Sequence, residues 1–258
     1  MTQTIRLEID SRGIARLTLD RPDKHNALND AMIGELSDAA ARLAENPAVR
    51  CVILAANGPT FCAGGDLTWM KAQADADRAT RLAAATKLAA MLQALDELPV
   101  PLIGVIAGNA YGGGVGLAAV CDIVIATPAA TFMLSETRLG LIPATIAPFV
   151  MRRIGAAGLR RFALTAARFS AAEAAAIGLV SEVQPDTALQ TAVARHIGQT
   201  LACAPGAIAD AKRLFRRLAL GQVAQADTIA ALADRWETDE AHLGINAFFA
   251  KAKPPWAP

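Results

Sequence analysis

Two glycine clusters and one glutamate carry the chemical signal of this sequence. Gly112, Gly113 and Gly114 are consecutive, set between the apolar run "PLIGVIAG" and what reads as a short helix. Gly64 and Gly65 follow a second apolar run, "VRCVILAA", within "GPTFCAGGDLTWM". Backbone without Cβ atoms admits a close approach, and N–H groups at the start of a helix attract an anion, whether phosphate or enolate oxygen. In a wound α/β sheet, turns at the carboxyl ends of strands meet over one crevice. Two amides from such turns converging on one oxygen form an oxyanion hole. Taken singly, each cluster is also what an ordinary tight turn looks like.

The phosphate alternatives lack support. A dinucleotide fingerprint needs a third glycine where "GGGVGL" has Leu117, and neither a Gly-x-x-x-x-Gly-Lys-Ser/Thr loop nor a Gly-x-Ser-x-Gly elbow occurs. Cys51, Cys62, Cys121 and Cys203 form no C-x-x-C pair, and His25, His196 and His242 are dispersed, which predicts no disulfide framework and no metal site. With 53% apolar and 19% charged residues and a net charge of +1, the 258-residue chain has the composition of a globular protein with no nucleic-acid partner. The start "MTQTIRLEID" has no apolar targeting core, and no run approaches the roughly 18 apolar residues of a membrane span. A cytoplasmic, soluble protein is expected.

The elements that must hold these groups alternate. "IRLEIDSRGIARLTLD" is an apolar–polar alternation interrupted at Gly13, the pattern of a hairpin. Residues 29–45 have helical periodicity with Asn29 as cap, and 49–56 read as a buried strand. An Ala-rich helix over about 75–97, a strand at 101–108, the glycine turn with its helix, then "DIVIAT" and "TFML" continue the α/β winding. Asp122, opening "DIVIAT", is read as satisfying a turn. Beyond about residue 145 the strand signal fades: "SAAE" at 170–173 has the form of a capping box, Gly178 suits a helix end, and 186–251 are Ala- and Leu-rich with helical periods.

Six stretches, "RPDKHNAL", "FCAGGDL", "GNAYGGGVGLAAVCDIVIA", "FMLSETRLGLIP", "SAAEAAAIGLV" and "AFFAKAKPPW", resemble in type and order the enoyl-CoA hydratase/isomerase (crotonase) superfamily. Within it, "FCAGGDLTWM", "GGGVGL" and "SETRLGLIPATIAPF" are most similar to bacterial hydratases of branched acyl-CoAs of the methylglutaconyl-CoA type. The resemblance implies an α/β fold, a crotonase-like spiral of stacked ββα turns over residues 1–195, with a C-terminal helical trimerisation region over 196–258. It implies a homotrimer or hexamer that acts on an acyl-CoA thioester, in branched-chain amino acid, fatty acid or isoprenoid catabolism. No cofactor is implied, coenzyme A being part of the substrate, and turnover should need neither metal nor nicotinamide.

By the same resemblance, the amides of Gly65 and Gly113 hold the enolate oxygen and Gly112 sits against the substrate. Lys24, His25 and Ala27 meet the CoA nucleotide, Ala63, Asp66 and Leu67 lie beside adenine and pantetheine, and Phe248 and Lys251 reach CoA from the C-terminal helices. Hydratases of the family carry two glutamates. Here the first position is Gly116 and the second is Glu136, a lone acid beside Arg138 that without the motifs would read as a surface ion pair. One carboxylate suffices if it takes a proton from water and then returns one to the α-carbon on the same face. Double-bond isomerisation, needing only the enolate hole and one base, stays open, as does a non-catalytic acyl-CoA-binding protein. Gly116→Glu is expected to restore the pair and favour hydration of short linear substrates. Trp69, Met70, Ala144, Thr145 and Ile146 are expected around the acyl group, with Arg138 or Arg152 facing any distal carboxylate.

Overall fold

The computed structural model describes residues 3–257. The chain opens with the hairpin of β1 (Ile5–Ile9) and β2 (Ile14–Leu19), closed where Gly13 at φ +79° donates its N–H to the Asp10 carbonyl at 3.0 Å. Asn29 then caps α1 (Asp30–Glu45), its side-chain oxygen accepting from the Met32 amide at 2.9 Å.

Three coils follow, each with a long strand, a short strand and helix. The first is β3 (Cys51–Ala56), β4 (Thr60–Cys62), α2 (Leu67–Asp75) and α3 (Arg78–Asp96). The second is β5 (Leu102–Ile106), β6 (Asn109–Tyr111) and α4 (Gly113–Ala119). The third is β7 (Ile123–Ala126), β8 (Thr131–Met133), a 3-10 turn at Glu136–Leu139 and α5 (Ala147–Thr165), which bends at Gly155, φ +69°. The chain continues through β9 (Phe169–Ser170), α6 (Ala171–Ala176), β10 (Glu182–Val183), α7 (Asp186–Leu201), α8 (Pro205–Ala219), α9 (Gln225–Trp236) and α10 (Asp239–Phe249). The long strands stack in a six-stranded sheet, β1-β2-β3-β5-β7-β10, and the short ones in a four-stranded sheet, β4-β6-β8-β9. This is the spiral of ββα turns that the sequence led us to expect.

Burial explains the stacking. Leu17, Leu54, Met91 and Phe132 lie in the core between the two sheets and the helices, while Ile53, Ile103 and Ile125 on the opposite face of the long sheet are covered by Leu189, Val193 and Ile197 of α7. Helix α7 runs unbroken through 195–196, so the change in packing comes later, after Leu201, beyond which no described residue is buried. Polar pairs tie α8 back to the spiral: Lys212 meets Asp122 at 2.6 Å and Arg216 meets Glu97 at 2.7 Å. Asp122 also accepts from the Leu102 amide at 2.8 Å, so it does serve the turn opening its strand.

Candidate active site

The short sheet brings the glycine clusters and the glutamate together. β6 runs parallel to β4 on one side and to β8 on the other, with Tyr111 opposite Met133. The carboxyl ends of three neighbouring strands therefore emerge side by side, followed by Gly64 and Gly65, by Gly112 and Gly113, and by Glu136. Gly64 (φ +93°) and Gly112 (φ +47°) adopt backbone conformations that favour glycine. A methyl group on Gly112 would lie 3.1 Å from Glu136 Oε1 and 3.8 Å from the Gly64 Cα, which measures how tightly the three turns converge.

The polar groups at this junction are unspent. Among the described residues, neither the Gly65 N–H nor the Gly113 N–H at the first position of α4 has an acceptor within the chain. Both residues are partly exposed, whereas Gly64, Gly112 and Gly114 are buried. Glu136 Oε2 is buried without a hydrogen-bond partner. Burial raises the Glu136 carboxyl above its ordinary value, an effect its own backbone amide partly counters. Arg138 is exposed and forms no ion pair with it, so the surface-pair reading of Glu136 fails. Cys62, which packs against Gly114, has its thiol pushed by burial up to about 12 and offers no thiolate at neutral pH.

Residues 24–28 lie along the first glycine turn. The Ala63 amide donates to the His25 carbonyl at 3.0 Å, the Leu28 amide to the Gly64 carbonyl at 2.7 Å, and the Asp66 amide to the Leu28 carbonyl at 2.8 Å. Lys24, His25, Ala63 and Leu67 are exposed along this edge and Ala27 is buried. Asp66 is spent within the chain: it caps α2 through the Thr68 and Trp69 amides and pairs with Arg21 at 3.0 Å. Two residues that sequence reasoning passed over hold the segment. Asn26, buried with φ +52°, accepts from the Arg21 amide and donates to the carbonyls of Asn57 and Thr60; Arg21 donates to the Ala27 carbonyl at 2.7 Å. The signal was present, since Asn is one of the few side chains that tolerates left-handed backbone.

Gly116 is the main departure from expectation. A Cβ there would sit 2.6 Å from Ile146 Cγ2 and 3.7 Å from Leu92 Cδ1, so Ile146, itself buried, fills the space where a side chain at 116 would start. The expectation that Gly116→Glu alone restores a second carboxylate is corrected accordingly. Of the other residues expected around an acyl group, Trp69, Met70 and Thr145 line a pocket of about 480 Å³ with Leu88, Leu141 and Arg81, while Ala144 is exposed outside it. The pocket starts at the first glycine turn, because a methyl on Gly65 would lie 3.1 Å from Met70 Cγ and 3.7 Å from Trp69 Cε3. Arg152 is held by Asp96 at 2.8 Å and lies over the Phe149 ring.

Phe248 and Lys251 lie at the C-terminal end of α10 and do not line the pocket beside Gly65. Phe248 is 78% exposed and meets Phe249 edge-on, and Lys251, at φ +53°, closes the end of α10 by donating its amide to the Phe248 carbonyl. Among the described residues no three His, Cys, Asp or Glu side chains cluster as a metal site, and no helix is long and apolar enough to cross a membrane.

The ββα spiral thus gathers two free amides and a buried carboxylate at its strand ends, beside a largely apolar pocket. The family model of the enoyl-CoA hydratase/isomerases matches residues 10–258, and the chain belongs to that family. It is 34% identical over 247 residues to the 2,3-dehydroadipyl-CoA hydratase of Escherichia coli, covering 92% of each chain. Among solved structures it superposes on an enoyl-CoA hydratase from Shewanella pealeana with a TM-score of 0.94 at 38% identity, covering 98% of this chain and 96% of that one. An enoyl-CoA hydratase from Mycobacterium smegmatis gives a TM-score of 0.92 at 32% identity, covering 98% of both.

Proposed function

We propose that this enoyl-CoA hydratase adds water to a branched α,β-unsaturated acyl-CoA using Glu136 as its sole proton-transfer group. The observation that carries the reading is the unpartnered, buried Oε2 of Glu136 at the junction where the Gly65 and Gly113 amides are free. The thioester oxygen accepts from both amides. As Glu136 takes a proton from water, the water oxygen bonds to the β-carbon and the electron pair of the double bond moves onto the thioester oxygen, giving an enolate. The enolate collapses as protonated Glu136 delivers a proton to the α-carbon, which regenerates the carboxylate. Amides preorganised for the developing charge are worth about 10²–10³ in rate each, and the α4 dipole adds to them. Lys24, His25, Ala27, Ala63 and Leu67 form the edge along which CoA lies. Asp66 fixes that edge through Arg21 and α2.

The single carboxylate, with Ile146 closing the place beside Gly116, also favours a second reading, transfer of one proton between the γ- and α-carbons. Crotonyl-CoA incubated in heavy-oxygen water separates the two. The conjugated thioester absorbance should disappear with label in the product; a product of unchanged formula would instead identify an isomerase.

The C-terminal helices support assembly as a trimer or hexamer. α8, α9 and α10 have no buried residue of their own, and Phe215, Leu232 and Trp236 are among the apolar side chains they expose, around a cavity of about 520 Å³. Exposed apolar surface of this kind marks an interface. Light scattering at micromolar concentration should give a trimeric or hexameric mass, and a monomeric mass would refute the assembly. Phe248 and Lys251 would then reach CoA bound to a neighbouring subunit.

A further inference from the structure

We propose that Arg81 selects acyl chains ending in a carboxylate, a specificity that rests on reading the pocket beside Gly65 as the acyl site. That pocket lies between α2, α3 and the segment that follows Glu136, and its lining is apolar apart from Gln73, Thr145 and Arg81. Arg81 is its one charged lining residue.

The guanidinium is held in place from within the chain. Its Nε donates to the Gln73 carbonyl and its Nη2 to the Ala74 carbonyl, both at 2.8 Å, in the last turn of α2. Two of the five N–H donors are thereby used, and those on Nη1 have no acceptor among the described residues. Among the described residues no carboxylate stands within ion-pair distance of Arg81. Asp77, the N-cap of α3, attracts the charge, but its carboxylate is engaged in accepting from the Thr80 amide at 2.8 Å. The two arginines expected to face a distal carboxylate are unsuited: Arg152 is paired with Asp96, and Arg138 does not line the pocket.

The geometry favours an anionic tail over a neutral one. A hydrocarbon chain filling the pocket would strip water from the guanidinium and return nothing, while a carboxylate would accept charge-assisted hydrogen bonds from a fork that is already oriented. Arg81 is exposed, so the carboxylate keeps part of its hydration and avoids the full cost of burying an ion.

The test compares pentenoyl-, hexenoyl- and octenoyl-CoA with their ω-carboxylated counterparts, in wild type, Arg81→Met and Arg81→Lys. Wild type should prefer the carboxylated member at one or more lengths by about tenfold or more in kcat/KM. Arg81→Met should bring that ratio close to one, Arg81→Lys should retain part of it, and added KCl should shrink it in wild type because the pair is solvent-facing. A ratio near one in wild type, or the same ratio in wild type and Arg81→Met, would overturn the assignment. So would an equal loss for both substrate classes in Arg81→Met, the mark of a guanidinium that only closes α2. Calorimetric binding of adipyl-CoA against hexanoyl-CoA gives the same ratio without turnover. Absence of hydration with all substrates would defeat the hydratase reading while binding still decides the role of Arg81.

Discussion

Replacing Glu136 with glutamine is expected to lower kcat by about 10²–10⁴, the usual contribution of a general acid–base group, with little change in the affinity for a saturated acyl-CoA. The substitution keeps the shape of the junction beside Gly112 and removes only the proton acceptor. The same variant should be more stable than wild type at neutral pH. Burial raises the Glu136 carboxyl in the folded state, so its protonated form favours folding and that contribution is lost as pH rises through the raised value. Glutamine escapes this loss, and its advantage in Tm should fade as pH falls toward the ordinary glutamate value of about 4.3. For wild type, the acid limb of kcat/KM should lie above that value. Near-full activity of Glu136→Gln would show that another group moves the proton.

Gly116→Glu, made alone, is expected to destabilise the protein by about 3 kcal/mol or more. Its Cβ falls 2.6 Å from Ile146 Cγ2 inside a helix whose residues from Gly114 on are buried, so overpacking and a desolvated carboxylate add. A denaturant midpoint unchanged from wild type would contradict the packing described here. Pairing it with Ile146→Ala removes the obstructing methyl groups. The double variant should recover stability relative to Gly116→Glu and raise hydration of crotonyl-CoA over isomerisation relative to Ile146→Ala alone. If hydration does not rise, the missing first glutamate is not what limits activation of water.

Local rules made much of this fold legible. Gly13, Asn29 and Ser170 act through the nearest few residues, and each turns its hairpin or caps its helix as its type predicts; Ser170 and Glu173 complete the capping box. Gly178 takes the positive φ its place implied. What escaped depends on contacts distant in sequence or on elements too short for periodicity. β9 and β10 have two residues each, below any repeat. Helix α2 was missed because its nine residues bury none of their number; its cap Asp66 and the α3 cap Asp77 became evident only in the structure. At the candidate site, the order of motifs located Gly65, Gly113 and Glu136. The contact of Gly116 with Ile146 crosses 30 positions and joins α4 to the start of α5, which no local pattern encodes.

The order of strands in the long sheet has a consequence for biosynthesis. Apart from the opening hairpin, every strand of that sheet docks on one already made: β3 on β2, β5 on β3, β7 on β5 and β10 on β7. A nascent chain leaving the ribosome can therefore wind each coil onto the preceding one without waiting for its C-terminus, which limits the time any long strand spends as an open edge. Helix α7 then seals the second face of the finished sheet. Beyond Leu201 no described residue is buried, so the helices that follow add no core to the wound sheet.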